Sequence, residues 1–369
     1  VMYYDEVYHV KTARELIALS NYTETAHPPM GKLFISFAIL AFGDHPWVWR
    51  LVALLAGSGS IALVYLITKK LTQDFWVALM AGYLFTLDQI SLTQARIAML
   101  NSTMLVFMLL ALYFLLPYAL ERKWPRTKSF LVSGIFFGLG MSTRWVAAGI
   151  LIPVALLLVK VFREEKSKGR FLRDLFLYFV LIPLLIYGAS HAVMPMIKGK
   201  NWLDVWNYQL HMARYHATLT EGHPYGSQWW SWPFLLRPIW YYFQRARDSV
   251  AGVLCIGNPV IFWTIPIAIA SSAWNLVRRK SFVSGFILLA FLGQWVPWAF
   301  IGRVKFFHYF YPAMPFVAMA LALLLGRIWN TGRLGKIVVI VYLISVADMF
   351  VYWYPLLTNF PISEAYFRN

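Results

Sequence analysis

The chain has 369 residues and a net charge of +17; 60% of its residues are hydrophobic, 18% aromatic and only 13% charged. A soluble globular domain has about a quarter of its residues charged, so this composition excludes that class and indicates an integral membrane protein. The strands of a membrane β-barrel would alternate apolar and polar residues over about ten positions, whereas this chain has continuous apolar runs that indicate helices.

The apolar runs approach the roughly 20 residues that a helix needs to cross the hydrocarbon core. The predicted spans are residues 47–68, 75–90, 97–120, 129–145, 146–162, 172–195, 251–276, 281–300, 309–326 and 336–355. A shorter apolar run at residues 33–43 predicts an interfacial or partly inserted helix. We therefore predict an all-α polytopic membrane protein with about ten to eleven transmembrane helices, in a single domain over residues 1–369.

Basic residues between the predicted spans set the orientation of the chain. More than half of the lysines and arginines, and few acids, fall in alternate connections. These connections are residues 69–74, 121–128, 160–174, 277–280 and 327–336. The positive-inside rule places them in the cytoplasm, so residues 1–46 and the long connection 196–250 are predicted to lie outside. The net charge then follows from topology, and a nucleic-acid partner loses its main support.

The predicted outer connection and the ends of the chain lead to three further expectations. Connection 196–250 is rich in Trp, Tyr and His, which predicts re-entrant or interfacial helices at the depth of the lipid headgroups. The single cysteine, Cys255, lies in an apolar segment, so an internal disulfide is excluded. Val1 leads directly into a polar stretch, so we expect no signal peptide and a sequence truncated at both ends.

The opening polar stretch contains two adjacent carboxylates, Asp5 and Glu6, among tyrosines. Burial and like charge raise carboxylate pKa values, so the pair could supply a general base. The simpler interpretation is a solvated acidic pair that caps the helix starting near Val7. His9 follows Asp5 at the helical spacing of metal ligands, but this spacing alone is a weak signal and a structural histidine is the favoured interpretation.

The segment from His27 to Lys32 reads His-Pro-Pro-Met-Gly-Lys. Two prolines hold the backbone extended, the glycine permits a turn, and Lys32 then begins a helix whose N-terminus would attract an anion. The alternative is a turn at which the chain enters the membrane, with a lysine that extends to the interface.

Four cations stand at the predicted outer ends of spans: Arg96, Arg144, Arg303 and Lys305. Together they suit the phosphate of a lipid carrier, although each one alone could be an interfacial anchor. Soluble nucleotide-activated donors are cytoplasmic, so chemistry at the outer face would use a lipid-linked donor.

A series of motifs in family order resembles that of the protein O-mannosyltransferases. The motifs are Asp5-Glu6, His27 to Lys32, Arg96 to Asn101, Thr143-Arg144-Trp145, His223-Pro224-Tyr225, Trp230 to Pro233, Arg237-Pro238, Gly257 to Val260, and Phe306 to Tyr309 with Pro312. These enzymes are lipid-phosphate-sugar-dependent glycosyltransferases of the C fold type (GT-C), related to the aminoarabinose transferases that modify lipid A. The resemblance runs from the first residues to about Pro315.

The resemblance implies an inverting transfer of mannose from a polyprenyl- or dolichyl-phosphate carrier to Ser or Thr hydroxyls of proteins at the outer face of the plasma membrane. It implies that Asp5 is the catalytic base and that Glu6 helps to position the acceptor. It places Arg96, Arg144, Arg303 and Lys305 near the donor phosphate, and it requires no metal. The matching motifs assign substrate binding to His27, Lys32, His223, Tyr225, Asn258 and His308.

The chain departs from the family pattern in several places. Asn101 replaces the usual Asp and Arg144 replaces a frequent Lys, so a charge is lost at the first position and kept at the second. Connection 196–250 is too short for the sugar-binding-like luminal domain of eukaryotic members, which suggests a prokaryotic form. The family has a span ahead of the Asp-Glu loop, so we expect the natural chain to have one.

Three alternatives remain open at this stage. The same fold and donor class could give another sugar to a lipid or to a cell-wall glycan. A transporter or lipid flippase would also have intramembrane charges and broken helices, but the clustering of polar residues on one face favours an enzyme. A divalent metal could bind if Asp5, Glu6, His9 and His27 meet in space.

Overall fold

A computed structural model describes residues 1–218 and 222–368 of the chain. The α-helices are α1 (Glu6–Ile17), α2 (Met30–Phe42), α3 (Pro46–Thr72), α4 (Phe75–Thr86), α5 (Gln89–Arg96), α6 (Leu100–Ala119), α7 (Arg126–Thr143), α8 (Leu151–Glu164), α9 (Lys168–Phe176), α10 (Ile182–Ser190), α11 (Trp202–Thr218), α12 (Pro259–Arg279), α13 (Phe282–Trp295), α14 (Met314–Trp329), α15 (Arg333–Thr358) and α16 (Glu364–Arg368). Short 3-10 helices cover Trp145–Ile150, Met194–Met196, Trp229–Phe234, Val296–Phe300 and Phe307–Ala313, and a π-helical turn covers Leu177–Leu181.

Among the described residues, eight helices are long and apolar enough to cross a membrane. They are Pro46–Thr72, Leu100–Ala119, Trp145–Glu164, Lys168–Met196, Pro259–Arg279, Phe282–Phe300, Phe307–Trp329 and Arg333–Thr358. Helices α4 and α5 would form a ninth span if the pair, bent by 61°, counts as one. The polytopic all-α class is therefore confirmed, whereas the predicted count of ten to eleven spans is not confirmed.

Helix α7 occupies the predicted span 129–145 but is not among the eight. Two basic residues in its first turn and several small polar residues make it less apolar than its neighbours. Gly134 and Gly138 lie one turn apart, where a Cβ atom would overlap the carbonyl oxygen of Tyr178 and approach Pro183 Cα to 2.9 Å. Small residues at this spacing allow helix backbones to pack closely, so α7 is a helix packed against the π-helical turn and α10.

The predicted start of the span at residues 251–276 is wrong, because its first residues form a strand. Strands β1 (Ile239–Arg245) and β2 (Ser249–Cys255) make an antiparallel hairpin, and β3 (Ile362–Ser363) extends it in the order β1, β2, β3. A short apolar run such as residues 249–255 fits a buried strand and a helix equally well by periodicity. The span starts only at Pro259, after Asn258 has capped α12.

The chain divides into two compact units. The first unit comprises Val1–Leu63 with Ile97–Leu219, and the second comprises Val64–Arg96 with Thr220–Asn369. In the first unit, α1 buries one face against α2 and the start of α3 through Val10, Ala13, Ile35, Ile39 and Trp49. Each large aliphatic side chain buried in this way contributes about 1.5–3 kcal/mol, so the packing holds the start of α1 in a defined position. The prediction of a single domain stays a prediction.

The second unit is built around α14, the most buried of the candidate spans. Helices α4, α12, α13 and α15 pack against it. Its buried residues include Phe316, Val317, Met319 and Leu321, which are close to fully buried.

Candidate active site

Asp5 lies in a tight turn just before α1. The Glu6 N–H donates to Tyr3 O at 3.0 Å, while the Tyr3 N–H donates to Glu6 Oε2 at 2.8 Å. This reciprocal pair resembles a capping box, in which an acid three residues into the turn binds a backbone N–H at its start. Between them, Tyr4 has a φ of +47°, a left-handed conformation that costs energy for a residue other than glycine. The turn is thus closed at both ends, and Asp5 lies within it.

Glu6 is fully buried and uses both carboxylate oxygens within the chain. Arg50 donates to them through Nε and Nη2, each at 2.8 Å, and the Ala98 N–H donates to Oε1 at 2.7 Å. With the Tyr3 bond, this makes four hydrogen bonds, which is about the full capacity of a carboxylate. The family resemblance implied that Glu6 helps to position the acceptor, whereas its contacts join the Asp5 turn to α3 and to the residues before α6.

Asp5 differs from Glu6 in its burial and in its hydrogen bonds. Its side chain is partly buried, caps no helical N–H, and makes no hydrogen bond or ion pair with another described residue. Burial raises its pKa to about 6, against the lowering effect of the Arg144 charge and with a further increase from Glu24. The interpretation of Asp5 as a helix-capping acid is therefore wrong. A carboxylate with a pKa near neutrality is suited to accept a proton.

Lys32 organises the loop beside Asp5. Its side chain is fully buried, and Nζ donates to Glu24 Oε2 at 2.5 Å, Glu24 O at 2.9 Å and His27 O at 2.8 Å. The ammonium also lies 4.4 Å from the centre of the Tyr22 ring. All three N–H donors are thus used by the loop, so neither the expected anion site nor a lysine extended to the interface describes Lys32.

Three histidine rings lie together beside this loop. The centre of the His27 ring is 6.4 Å from that of His9 and 5.6 Å from that of His216, on which it stacks. Burial lowers the pKa of His9 to about 3 and the pKa of His27 well below its usual value, so both rings are neutral. His9 Nδ1 is buried and finds no hydrogen-bond partner among the described residues. Within residues 1–218 and 222–368, no three His, Cys, Asp or Glu side chains form a group that could hold a metal.

Arg144 is the predicted phosphate ligand that lies in the same unit as Asp5. It follows the last turn of α7, is nearly buried, and its Nη1 donates to Asn101 Oδ1. Its charge lowers the pKa of Asp5 and of both His9 and His27. Asn101 stands where the family usually has Asp, and its side-chain oxygen still accepts a hydrogen bond from Arg144. Because an amide is neutral, Asn101 does not neutralise the Arg144 charge as an aspartate would.

The other three predicted phosphate ligands belong to the second unit. Arg96 donates to Leu357 O at 2.8 Å and Thr358 O at 3.1 Å, the last carbonyls of α15. Arg303 donates to Tyr309 Oη at 2.7 Å, and Lys305 donates to the carbonyl of Ile301 at 2.6 Å. Arg303 and Lys305 line a cavity of about 530 Å³ that also includes His223 and Arg237, and no acidic side chain among the described residues lines it.

The remaining predicted substrate ligands also lie in the second unit. His223 lines the basic cavity, whereas Tyr225 lines a mainly apolar cavity of about 430 Å³. His308 is nearly buried and stacks on Phe306 with ring centres 5.8 Å apart. Asn258 is fully buried, accepts from the Val260 N–H, and donates to the carbonyls of Leu87 and Val346. These contacts give Asn258 a structural function, where sequence analysis expected substrate binding.

Two sequence models of protein families match the chain. One is described as dolichyl-phosphate-mannose-protein mannosyltransferase and matches residues 40–197. The other is the C-terminal four-transmembrane region of protein O-mannosyltransferase and matches residues 201–369. The chain belongs to the protein O-mannosyltransferase family.

A Mycobacterium tuberculosis protein named polyprenol-phosphate-mannose–protein mannosyltransferase is 26% identical over 93% of this chain and 79% of its own length. Among solved structures, the Saccharomyces cerevisiae Pmt1–Pmt2 complex bound to the sugar donor matches with a TM-score of 0.82 at 14% identity, over 96% of this chain and 86% of the matched chain. ArnT from Cupriavidus metallidurans, bound to undecaprenyl phosphate, matches with a TM-score of 0.63 at 16% identity, over 88% and 56% of the two chains. These matches confirm the predicted GT-C fold class.

Sequence reasoning missed three residues that shape the site of this protein O-mannosyltransferase. Arg50 holds Glu6, Glu24 holds Lys32, and His216 stacks on His27. Arg50 had a usable signal, since a charge at the start of a long apolar run needs a partner. Glu24 and His216 had no such signal. Their contacts with Lys32 and His27 form only when the chain folds, and no local sequence pattern predicts them.

Proposed function

We propose that the chain transfers mannose from a polyprenyl-phosphate carrier to Ser or Thr hydroxyls of polypeptides, with inversion at the anomeric carbon. The family, and the names of relatives that use polyprenol-phosphate-mannose, support this donor and acceptor. The observation that carries the proposal is the state of Asp5, whose carboxylate is unbonded and has a pKa of about 6, in a unit where Arg144 is close enough to lower that pKa.

The reaction is a single displacement. The acceptor oxygen attacks the anomeric carbon as Asp5 takes the hydroxyl proton, and the bond from that carbon to the phosphate oxygen breaks. The phosphate oxygen keeps the electron pair, so the products are the mannosylated side chain and the polyprenyl phosphate. Attack opposite to the leaving group inverts the anomeric centre.

Positive charge stabilises the leaving phosphate. Arg144 is suited to this task because it lies in the same unit as Asp5 and a bidentate guanidinium matches phosphate oxygens. The basic cavity with Arg303 and Lys305 in the second unit is a further candidate for the donor phosphate. No step of this scheme requires a metal, since arginine supplies the charge that a metal would otherwise provide.

The residues around Asp5 position it and keep the site neutral. Glu6 and Arg50 hold the turn, and Lys32 with Glu24 holds the loop that carries His27. His9 and His27 remain uncharged at neutral pH, so neither competes with the acceptor hydroxyl as a proton donor to Asp5. We further propose that this reaction takes place at the extracytoplasmic face of the plasma membrane, since the donor is a lipid and residues 1–46 are predicted outside.

The test uses the full-length protein in nanodiscs, with radiolabelled polyprenyl-phosphate-mannose and a Thr- and Pro-rich peptide, with and without chelator. We expect label on the peptide in both conditions. Asp5→Asn should reduce turnover by about 10²–10⁴-fold while donor binding persists, because a positioned base contributes about that much. The control is Asp44→Asn, which removes an exposed carboxylate paired with Arg14 and should keep full turnover.

Transfer of label to lipid or glycan instead of the peptide would contradict the proposed acceptor. An Asp5→Asn protein with most of its turnover would remove Asp5 from the position of base. Loss of activity on chelation would contradict the metal-free scheme.

A further inference from the structure

A cavity of about 300 Å³ lies in the first unit, between the start of α11 and the loop at residues 21–25. It is separate from the residues assigned to the chemistry, yet it shares a wall with them. Tyr22 forms part of the cavity and its ring also covers the Lys32 ammonium, which binds Glu24. The Glu24 carboxylate is in turn close enough to raise the pKa of Asp5. The cavity therefore lies about two side chains away from the proposed base.

The two walls of the cavity are held together by hydrogen bonds. Side chains of α11 bind three consecutive loop residues, and they do so at Glu24 O, Thr25 Oγ1 and Ala26 O. The distances are 2.9 Å from Tyr208 Oη, 3.0 Å from His211 Nε2 and 2.7 Å from His216 Nε2. A cavity between segments tied in this way keeps its shape when empty, which lowers the entropic cost of binding.

The cavity lining includes two asparagines that are available to a ligand. Asn21 and Asn207 line the cavity at its exposed edge, and neither side chain makes a hydrogen bond with another described residue. Lys200 and Asp204 both line it, so their charges cancel. Tyr22 and Tyr208, with ring centres 5.0 Å apart in an edge-to-face arrangement, supply an aromatic surface.

This chemistry selects between classes of ligand. A lipid tail would need walls without open amides, and a phosphate would need an excess of positive charge. A carboxamide offers one acceptor and two donors, which complements the C=O and N–H of a peptide bond. Aromatic surfaces bind the rings and methyl groups of extended, proline-rich segments.

We propose that this cavity binds the acceptor polypeptide, beside the Ser or Thr that receives the sugar. The proposal rests on the proposed transfer to protein and names the part of the chain that recognises the acceptor. Asn21 and Asn207 bind main-chain amides of the segment next to the modified residue, while Tyr22 and Tyr208 contact its side chains.

The first test measures steady-state kinetics of the full-length protein in nanodiscs, with a Thr- and Pro-rich peptide and polyprenyl-phosphate-mannose. Asn21→Ala and Asn207→Ala should each raise KM for the peptide about 5-fold, as expected for one lost hydrogen bond, and leave kcat and KM for the donor unchanged. The control is Arg214→Ala, an exposed side chain on the same helix that does not line the cavity. Unchanged KM for the peptide in both variants would overturn the assignment.

A second test does not depend on turnover. A photo-reactive phenylalanine analogue placed at position 207 should cross-link to the radiolabelled peptide without donor present, and the same analogue at position 214 should not. No cross-link at 207, or one displaced by a free mannose oligosaccharide and not by unlabelled peptide, would overturn the assignment to polypeptide. If the unmodified protein labels peptide but these tests fail, only this inference falls; if it labels no peptide, the proposed function falls as well.

Discussion

The ion pair of Arg50 with Glu6 should be far more important for stability and turnover than a matched pair between α1 and the turn that precedes α3. Arg50 binds the Glu6 carboxylate through two nitrogens, and Glu6 is fully buried while 22% of the Arg50 side chain is exposed. Arg14 binds Asp44 in the same bidentate way, at 2.7 and 3.1 Å, but 43% and 41% of the two side chains are exposed. The two pairs differ mainly in burial.

Arg50→Ala leaves a buried carboxylate without its cation. Removing one partner of a buried pair costs about 3–5 kcal/mol, and the lower end applies because the backbone N–H groups of Tyr3 and Ala98 still bind Glu6. Arg14→Ala breaks an exposed pair and should cost about 0.2–1 kcal/mol. The midpoint of thermal inactivation in nanodiscs should therefore fall clearly in the first variant and little in the second.

The activity of Arg50→Ala supplies an independent measurement. Removal of the Arg50 charge leaves the negative charge of Glu6 next to Asp5 uncompensated, which raises the pKa of Asp5 and moves the acidic limb of the pH–rate profile to higher pH. The turn also loses a restraint, so kcat should fall more than KM for either substrate rises. Glu6→Gln combined with Arg50→Met should recover part of the stability, since a neutral pair has no uncompensated charge. Equal effects of Arg50→Ala and Arg14→Ala, or an unmoved pH profile, would refute this reasoning.

Three further predictions follow from the geometry. In the unmodified protein, kcat/KM should rise with pH through about 6 and then level off, because Asp5 accepts a proton only when ionised and its pKa is about 6; a limb near pH 4 would mean that burial does not raise that pKa. Lys32→Met should lower the midpoint of thermal inactivation strongly, because it leaves the buried Glu24 carboxylate without its cation. Adding Glu24→Gln to this variant should restore much of the midpoint. An additive loss in the double variant would show that the two side chains are not coupled. Gly134→Ala should lower the same midpoint by forcing α7 away from the π-helical turn, whereas Gly188→Ala, whose added methyl would meet open space, should not; equal midpoints would argue against the close packing of α7.

The membrane class, the helical architecture and the family could all be predicted from the sequence, because each depends on local information. Hydropathy over a window of about 20 residues reports a span without reference to its neighbours. Short contiguous motifs such as His27 to Lys32 likewise identify a family without any knowledge of the fold. The errors occurred where local patterns are ambiguous, as in residues 249–255, which form strand β2 instead of the start of a span.

Only the tertiary structure decided which residue of the site is structural and which is available as a base. Asp5 and Glu6 are adjacent carboxylates that the sequence could not distinguish, and the fold buries one against Arg50, 44 positions away, while it leaves the other unbonded. The same holds for Lys32, because its partner Glu24 neutralises the charge that the motif alone assigned to an anion site. Composition and motifs determine which chemical groups are present, but the free energy of a charge depends on its burial and its partners, and only the folded chain supplies those.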